Sequence, residues 1–352
     1  MSGRKEKLMR TTGAILLALS IGALCTKPAS AATNILVHIF APSQYPNNSA
    51  GWVYLKKNVE RDTQGRVLFQ FTNGAVGPPR QNLALVQGGA VDAAYLNTGL
   101  NRSQWRMPEI GRLPFLSPSA EAVSVANWRT YAKYFKSAHE FKSVHLLSIY
   151  SSSGEQAWTI GKPIDKYSDF QGVKVRTAAG LGADVAKAMG LIPVPSLAAG
   201  VYPLVSKGVV DGVFGAAAFL DIVKGASFMK YGIRFPGGLD NLVFIAFMSK
   251  AKWDQISPAD QAIVNKYAGE AMARSVGREW DRWNDKAIKS MEANGTKIKP
   301  ASLEMIAAAK KALAPFEEQW VRDAAKKGVD GKAALAYFRA QEEQIEKERM
   351  SR

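Results

Sequence analysis

Residues 170–219 read FQGVKVRTAAGLGADVAKAMGLIPVPSLAAGVYPLVSKGVVDGVFGAAAF, and this stretch decides the fold. Three short β-branched runs alternate with two segments whose apolar residues have helical spacing, and these segments end at Gly190 and Gly208. Such alternation predicts a parallel sheet that receives ligands at the carboxyl ends of its strands. Arg176, among small neutral residues at one such end, is therefore the first candidate for a ligand-binding side chain.

The first 31 residues have the composition of a secretory signal peptide. Basic residues precede an apolar run at 13–24, and Ala29-Ser30-Ala31 supplies a small-residue cleavage site. An amino-terminal membrane anchor is the lesser alternative, because the apolar run is short for a membrane span. Cleavage would remove Cys25, the one cysteine, so the mature chain from Ala32 would depend on a sizeable core rather than on disulfides.

The balance of charge is basic but scattered. Removal of a leader with five basic residues and one acidic residue lowers the formal net charge from +16 to +12. No basic run lies beside stacked aromatic residues, which argues against nucleic acid as a partner. A solvated basic surface is favoured over a specific polyanion site. No segment after the leader is apolar enough to span a membrane.

A second βαβαβ pattern precedes the first-quoted stretch, at 34–96. The helix-glycine-strand run around Asp92 matches the run around Asp211, 119 positions later. This spacing is too long for a solenoid repeat and predicts two lobes of similar construction. The alternative is that such joints simply resemble one another, because glycine caps are common at helix ends. On either interpretation, the two aspartates are strand-entry residues rather than catalytic carboxylates.

The predicted architecture is an α/β, two-lobed fold with mainly parallel sheets and a long helix spanning both lobes. The first lobe is predicted at 32–153, completed by about 241–275, and the second at 154–240, completed by about 276–352. Small residues at 151–154 and the run Pro236-Gly237-Gly238 are the predicted crossovers, because they absorb hinge rotation easily. Ser257-Pro258 begins a helix predicted to continue to Met291 along the outside of both lobes. A charged, frayed segment ends the tail.

Signals of catalysis are weak. The three histidines, His38, His139 and His145, have no metal-ligand spacing, and no nucleophile elbow or P-loop is present. The glycine runs at 180–182 and 237–238 lack the lysine and the strand-turn-helix setting of a phosphate cradle. We therefore expect no catalytic residues, no metal site and no cofactor, and a periplasmic hydrolase or isomerase is a weak alternative.

Several motifs together resemble the DctP-type solute-binding proteins of tripartite ATP-independent periplasmic (TRAP) transporters. They are Gly65-Arg66-Val67, Leu113-Pro114-Phe115, Lys162-Pro163-Ile164, the Gly172-to-Arg176 element, Gly208-Val209-Val210-Asp211-Gly212 and the run from Trp253 to Gln261. The resemblance covers nearly all of the mature chain. It implies a Venus-flytrap clamp in the periplasm that closes over an organic acid, with Arg176 pairing with the ligand carboxylate. It also implies the small and large membrane subunits as partners, and a monomer, although some relatives dimerise through the long helix. A solute-binding protein of an ATP-driven or tricarboxylate-type system is the nearest alternative.

The chain departs from the resembled family in ways that concern the ligand. Gln156 occupies a position where many members carry a second arginine, and residues 214–219 are apolar where members that bind polar acids often have a polar side chain. We therefore expect a monocarboxylate with an apolar or aromatic body, such as a 2-oxo, 2-hydroxy or aromatic acid. The candidate ligand-binding residues are Arg176, Gln156, Asn97, Phe214 and Trp158. The alternative for Arg176 is a surface or interdomain salt bridge, and for the other four it is a place in the core or scaffold.

Overall fold

The computed structural model describes residues 32–351. Its strands in this range are β1 (Thr33–Val37), β2 (Val67–Phe71), β3 (Ala93–Asn97), β4 (His145–Ser151), β5 (Gln156–Thr159), β6 (Lys174–Thr177), β7 (Ile192–Pro195), β8 (Gly212–Gly215), β9 (Tyr231–Arg234), β10 (Val243–Met248) and β11 (Lys297–Pro300). Its helices are α1 (Tyr54–Asp62), α2 (Asn82–Gln87), α3 (Ala120–Thr130), α4 (Leu181–Ala188), α5 (Val201–Ser206), α6 (Ala217–Ile222), α7 (Lys250–Trp253), α8 (Pro258–Tyr267), α9 (Gly269–Ala293), α10 (Leu303–Lys326) and α11 (Gly331–Met350). The predicted leader lies outside the described residues.

Two sheets form the centres of two lobes. The first has the order β2-β1-β3-β10-β4, and β10 runs antiparallel to both of its neighbours. The second has the order β11-β9-β5-β8-β6-β7, and β5 is its antiparallel strand. The remaining strands of each sheet run parallel to one another. The predicted two-lobed α/β fold with mainly parallel sheets is confirmed.

The chain crosses between the sheets along two adjacent segments. The backbone N–H of Ser152 donates to the carbonyl of Leu242, and the N–H of Glu155 donates to the carbonyl of Asp240. One segment joins β4 to β5 and the other joins β9 to β10. Gly154 allows their close approach, because a Cβ there would lie 2.5 Å from the carbonyl oxygen of Gly237.

The matching helix-glycine-strand runs around Asp92 and Asp211 form the same hydrogen-bond arrangement in the two sheets. In the first sheet, the N–H of Leu36 donates to the Asp92 carboxylate, and the Asp92 N–H donates to the Leu36 carbonyl. In the second sheet, Lys174 and Asp211 exchange the same two bonds. Each aspartate therefore fastens the start of a strand to the neighbouring parallel strand, which agrees with the predicted strand-entry role.

The predicted single helix from 257 to 291 is wrong in one respect, since it is two helices. Ser257 caps α8 as expected, accepting a hydrogen bond from the Asp260 N–H. The chain then breaks at Gly269, whose φ is +55° and where a Cβ would lie 2.7 Å from the Trp128 ring. α9 begins there and packs against α3 and β4 on one side and α6 on the other, so it spans both lobes.

The carboxyl-terminal tail is better ordered than predicted. α11 remains helical to Met350 and packs along α3, with Ile345 buried, and Arg349 forms a salt bridge with Asp281 of α9. The expected frayed end is therefore wrong within the described residues. α10 contacts α4 of the second lobe, so the tail touches both lobes, and the predicted boundaries between the lobes stay a prediction. No helix in the described part of the chain combines the length and apolar character needed to cross a bilayer.

Candidate functional site

Arg176 lies near the carboxyl end of β6, between β7 and β8. Its Nη2 donates to the carbonyl oxygen of Ser196 at 2.6 Å and its Nε to the Ser196 hydroxyl at 3.2 Å. The guanidinium stacks on Phe219, with its central carbon 4.6 Å from the ring centroid. These contacts orient the flat fork of the side chain and leave Nη1 without a protein hydrogen bond among residues 32–351.

Arg176 is a nearly buried cation without a salt bridge to any carboxylate of the described chain. Only 4% of the residue is exposed, and burial lowers its pKa to about 10, while Glu155 and Tyr45 oppose that shift. A buried charge is costly unless an opposite charge and hydrogen bonds compensate it. The described chain gives Arg176 no salt bridge, and its role as the partner of an anion stays a prediction.

An aromatic surface lies on the first-lobe side of the site. Tyr95 of β3, Tyr150 of β4 and Phe244 of β10 lie on one face of the first sheet. The Trp280 ring of α9 lies 6.5 Å from Phe244 and 5.2 Å from Tyr45 between centroids. Burial raises the pKa of Tyr45, and the positive charge of Arg176 acts to lower it. Tyr45 therefore lies within electrostatic reach of the second-lobe cation. Tyr45 is therefore the member of this aromatic surface that links it to Arg176.

A buried charged group lies beside the crossovers. Asp240 accepts from Arg112 Nη2 at 2.6 Å and from its Nε at 3.1 Å, and both side chains are fully buried. Glu155 is buried close by, and its Oε2 has no hydrogen-bond partner in the described range. Burial is the main cause that raises the pKa of Glu155 to about 8, and the negative charge of Asp240 is the second. The positive charges of Arg112 and Arg176 act in the opposite direction.

Two of the predicted ligand-binding residues belong to the framework of β5. The Gln156 amide oxygen accepts from the Phe235 N–H at 2.7 Å, and its nitrogen donates to the Phe235 carbonyl at 3.0 Å. Trp158 is fully buried and donates to the carbonyl of Gly215 at 2.8 Å. Both side chains tie β5 to its neighbours, and a ligand role for either stays a prediction.

The other two predicted residues also have structural partners. Phe214 is fully buried among the second-lobe residues that pack under α4, including Val185. Asn97 accepts from the N–H of Gly99 at 2.7 Å and caps the turn after β3. Within the described chain, Arg176 Nη1 and the amide nitrogen of Asn97 make no hydrogen bond, and the ligand roles of all five candidates stay predictions.

The histidines have ordinary structural environments. His38 is within hydrogen-bonding distance of Asn82, at 2.8 Å, and its ring accepts from the Val76 N–H. His145 stacks on Trp253 at 3.6 Å between centroids. No group of three or more metal-ligating side chains comes together within residues 32–351.

The family model of bacterial extracellular solute-binding protein, family 7 (DctP), matches residues 37–323. The chain belongs to this family. The DctP relatives include the outer membrane transporter protein TsaT of Comamonas testosteroni, with 29% identity over 81% of this chain and 84% of the relative. A monocarboxylate 2-oxoacid-binding periplasmic protein of Nostoc sp. is 28% identical over 78% of this chain and 76% of the relative.

Solved DctP-type structures share the fold over nearly their full length. A TRAP periplasmic solute-binding protein from Bordetella bronchiseptica, with bound (R)-mandelate and (S)-mandelate, is 32% identical with a TM-score of 0.85, covering 89% of this chain and 99% of that one. A TRAP solute-binding protein from Rhodoferax ferrireducens, with copurified benzoate, is 23% identical with a TM-score of 0.80, covering 89% and 98%. This chain is a TRAP-type solute-binding protein, of a family of binding proteins rather than enzymes, and the predicted resemblance is confirmed.

Sequence reasoning missed most of the aromatic surface. Phe219 ends the quoted stretch, but only the fold shows that it lies under Arg176. Tyr45, Tyr95 and Tyr150 come from three separate segments and show no common motif. Strand alternation was the available signal for Tyr95 and Tyr150, since it places them on one face of their sheet.

Proposed function

We propose that this chain captures an aromatic monocarboxylate in the periplasm and delivers it to the small and large membrane subunits of a TRAP transporter. The observation that carries this proposal is Arg176, a buried guanidinium stacked on an aromatic ring and free of any salt bridge in the described chain. A carboxylate supplies the missing counter-charge through a two-point contact that lysine does not reproduce. The rings of Tyr45, Phe244 and Trp280 suit an aromatic body rather than a second carboxylate.

The relatives support the same ligand class. The 32%-identical protein from Bordetella bronchiseptica holds mandelate, an aromatic monocarboxylate, and the protein from Nostoc sp. is named for 2-oxo monocarboxylates. A cleaved leader at 1–31, lobes divided near 153 and 240, a monomeric state, and the absence of catalysis, cofactor and metal belong to this proposal. Light scattering, mass spectrometry of the exported chain and a turnover assay test these parts.

Calorimetry on the purified mature protein tests the ligand class. We expect saturable binding of mandelate, phenylacetate or an aromatic 2-oxo acid, and none of succinate or glucuronate at the same concentration. Arg176→Ala should abolish the binding, while Arg322→Ala, which alters an exposed arginine of α10, should preserve it. Binding confined to dicarboxylates or uronates contradicts the proposal, as does tight binding by Arg176→Ala.

A further inference from the structure

Two tyrosines of the first sheet point to the same central ring. The Phe244 ring centroid lies 6.2 Å from that of Tyr95 and 6.0 Å from that of Tyr150. In the strand register, Phe244 pairs with Asn97 of β3 on one side and with Tyr150 of β4 on the other. Tyr95 and Tyr150 therefore lie on one face of the sheet, near the carboxyl ends of parallel strands, where ligands of such folds bind.

The hydroxyl groups of these tyrosines are buried without a hydrogen-bond partner of ideal geometry. Tyr95 and Tyr150 are fully buried, and neither hydroxyl has a partner of ideal hydrogen-bond geometry within residues 32–351, although the Asn47 side chain lies near enough to the Tyr95 hydroxyl for a longer hydrogen bond. The amide nitrogen of buried Asn47 is unpartnered in the same way. Leaving a buried polar group unpaired costs about 1–3 kcal/mol, and folded proteins rarely do so without a reason.

These groups lie together on the first lobe, beside Trp280 and Tyr45. Burial raises the pKa of Tyr95, and the Asn47 side chain lies close enough to the Tyr95 hydroxyl to act in the opposite direction. The Asn47 amide oxygen accepts from Trp280 Nε1 at 3.0 Å, which turns the amide nitrogen away from that ring. The nearby Tyr45 hydroxyl contributes to raising the pKa of both Tyr95 and Tyr150. Arg176 in turn acts to lower the pKa of Tyr45.

We propose that Tyr95, Tyr150 and Asn47 bind the hydroxyl group of an aromatic hydroxy acid whose carboxylate pairs with Arg176. This inference rests on the proposed function and specifies its ligand. A hydroxyl is both donor and acceptor, so it can accept from the Asn47 amide or one tyrosine and donate to the other. The acid then joins the two lobes, with its carboxylate on the second and its hydroxyl on the first.

A site of this kind discriminates against acids that lack the hydroxyl. An analogue without it leaves the buried tyrosine hydroxyls and the amide unpaired, and this penalty falls on the analogue alone. The hydroxyl can be carried on the carbon next to the carboxylate or on the aromatic ring. We expect a hydroxy acid to bind at least fivefold more tightly than its unsubstituted counterpart.

The experiment measures dissociation constants of (R)-mandelate, (S)-mandelate, 3-hydroxyphenylacetate and phenylacetate for the mature protein, Tyr95→Phe, Tyr150→Phe and the double variant. Phenylalanine preserves the ring packing and removes only the hydroxyl. Tyr202→Phe is the matched control, since Tyr202 is half exposed and packs on Phe228 at the surface of the second lobe. The two mandelates and the ring-substituted acid distinguish the two positions of the ligand hydroxyl.

We expect at least one hydroxy acid to lose about five- to tenfold in affinity in Tyr95→Phe or Tyr150→Phe, while phenylacetate changes less than twofold. The melting temperature of the free variants should stay the same or rise, because an unpaired buried hydroxyl has been removed. Equal affinities for phenylacetate and all hydroxy acids, or a preference that survives in the double variant, contradict this inference but leave the proposed function standing. Failure of all four acids to bind contradicts this inference, and failure of an aromatic 2-oxo acid as well contradicts the proposed function.

Discussion

The guanidinium carbon of Arg176 lies 4.6 Å from the ring centroid of Phe219, and the two residues come from β6 and α6 of the same lobe. Phe219 covers one face of the cation and Ser196 occupies two of its donors, so the remaining donor edge faces the site. This arrangement sets the orientation of the fork before any acid arrives, which reduces the ordering cost of binding.

Replacement of Arg176 should separate charge from geometry. Arg176→Lys keeps the charge and loses the two-point contact, so we expect at least a tenfold loss of affinity for an aromatic acid. Arg176→Met removes the charge, and we expect a loss of more than a hundredfold, since truncating one partner of a buried charge pair costs about 2–5 kcal/mol. The free Arg176→Met protein should melt at the same or a higher temperature, because an uncompensated buried charge is gone. Calorimetry and thermal unfolding check both results.

Replacement of Phe219 should weaken binding without abolishing it. Phe219→Leu keeps an apolar side chain but removes the ring under the guanidinium, and cation–π contacts contribute about 0.5–2 kcal/mol. We expect a three- to tenfold loss of affinity for the acid with little change in stability. Phe228→Leu, in the short turn before β9, is the control. Unchanged affinity in Phe219→Leu would show that the ring does not orient Arg176.

Binding should weaken as the pH rises through about 8. Glu155 holds its proton to about pH 8 in the folded protein, against an ordinary value of 4.5, and it is within electrostatic reach of Arg176, Arg112 and Asp240. Ionisation places a negative charge near the incoming carboxylate and therefore opposes its binding. Calorimetry from pH 6 to pH 9.5 should show this loss in the parent protein and a flat profile in Glu155→Gln.

The same proton affects stability in a defined direction. Between pH 4.5 and about 8 the unfolded chain binds fewer protons at this group than the folded chain, so its contribution to stability falls as pH rises across that window. Glu155→Gln should reduce this slope of unfolding free energy against pH. An identical slope in both proteins would show that Glu155 is not the titrating group.

The Arg112–Asp240 pair should tolerate joint replacement better than single replacement. Asp240→Leu leaves a fully buried guanidinium without the carboxylate that pairs with it, and we expect a loss of about 3–5 kcal/mol in unfolding free energy. Arg112→Met combined with Asp240→Leu should recover most of that loss, because the cation and its paired carboxylate are removed together. Urea unfolding of the two single variants and the double variant provides the cycle. Additive losses would show that the two residues act independently.

Gly269 should resist replacement by alanine. Its φ of +55° is unfavourable for a residue with a Cβ, and a Cβ there would contact the Trp128 ring at 2.7 Å. We expect Gly269→Ala to lose at least 1–3 kcal/mol of stability. Gly161→Ala, where a Cβ meets nothing within 4 Å, should change stability little. Similar melting temperatures for both variants would contradict this account of the helix break.

Local patterns predicted the elements that depend on local physics. The alternation of β-branched runs and helical spacings predicted the parallel strands. The matching runs around Asp92 and Asp211 predicted that both aspartates lie at strand entries, where each accepts a backbone N–H. Arg176 was predictable because its strand end and its neutral neighbours are adjacent in sequence. The family resemblance then assigned its role.

The features that sequence reasoning missed depend on distant contacts. The helix break at Gly269 follows from the Trp128 ring, which lies 141 residues earlier. Gln156 has the right chemistry for a ligand, but the Phe235 backbone uses both ends of its amide. Tyr95 and Tyr150 become neighbours only because β10 inserts between their strands. A single chain gives no local signal for such encounters.

The paired crossovers restrict how the lobes can move. Backbone hydrogen bonds join Ser152 to Leu242 and Glu155 to Asp240. Neither connection can therefore bend or twist alone without breaking hydrogen bonds to the other. The two connections therefore form one hydrogen-bonded unit between the lobes, and α9 contacts elements of both lobes. We therefore expect the two connections to bend together rather than separately when the lobes move on arrival of the acid.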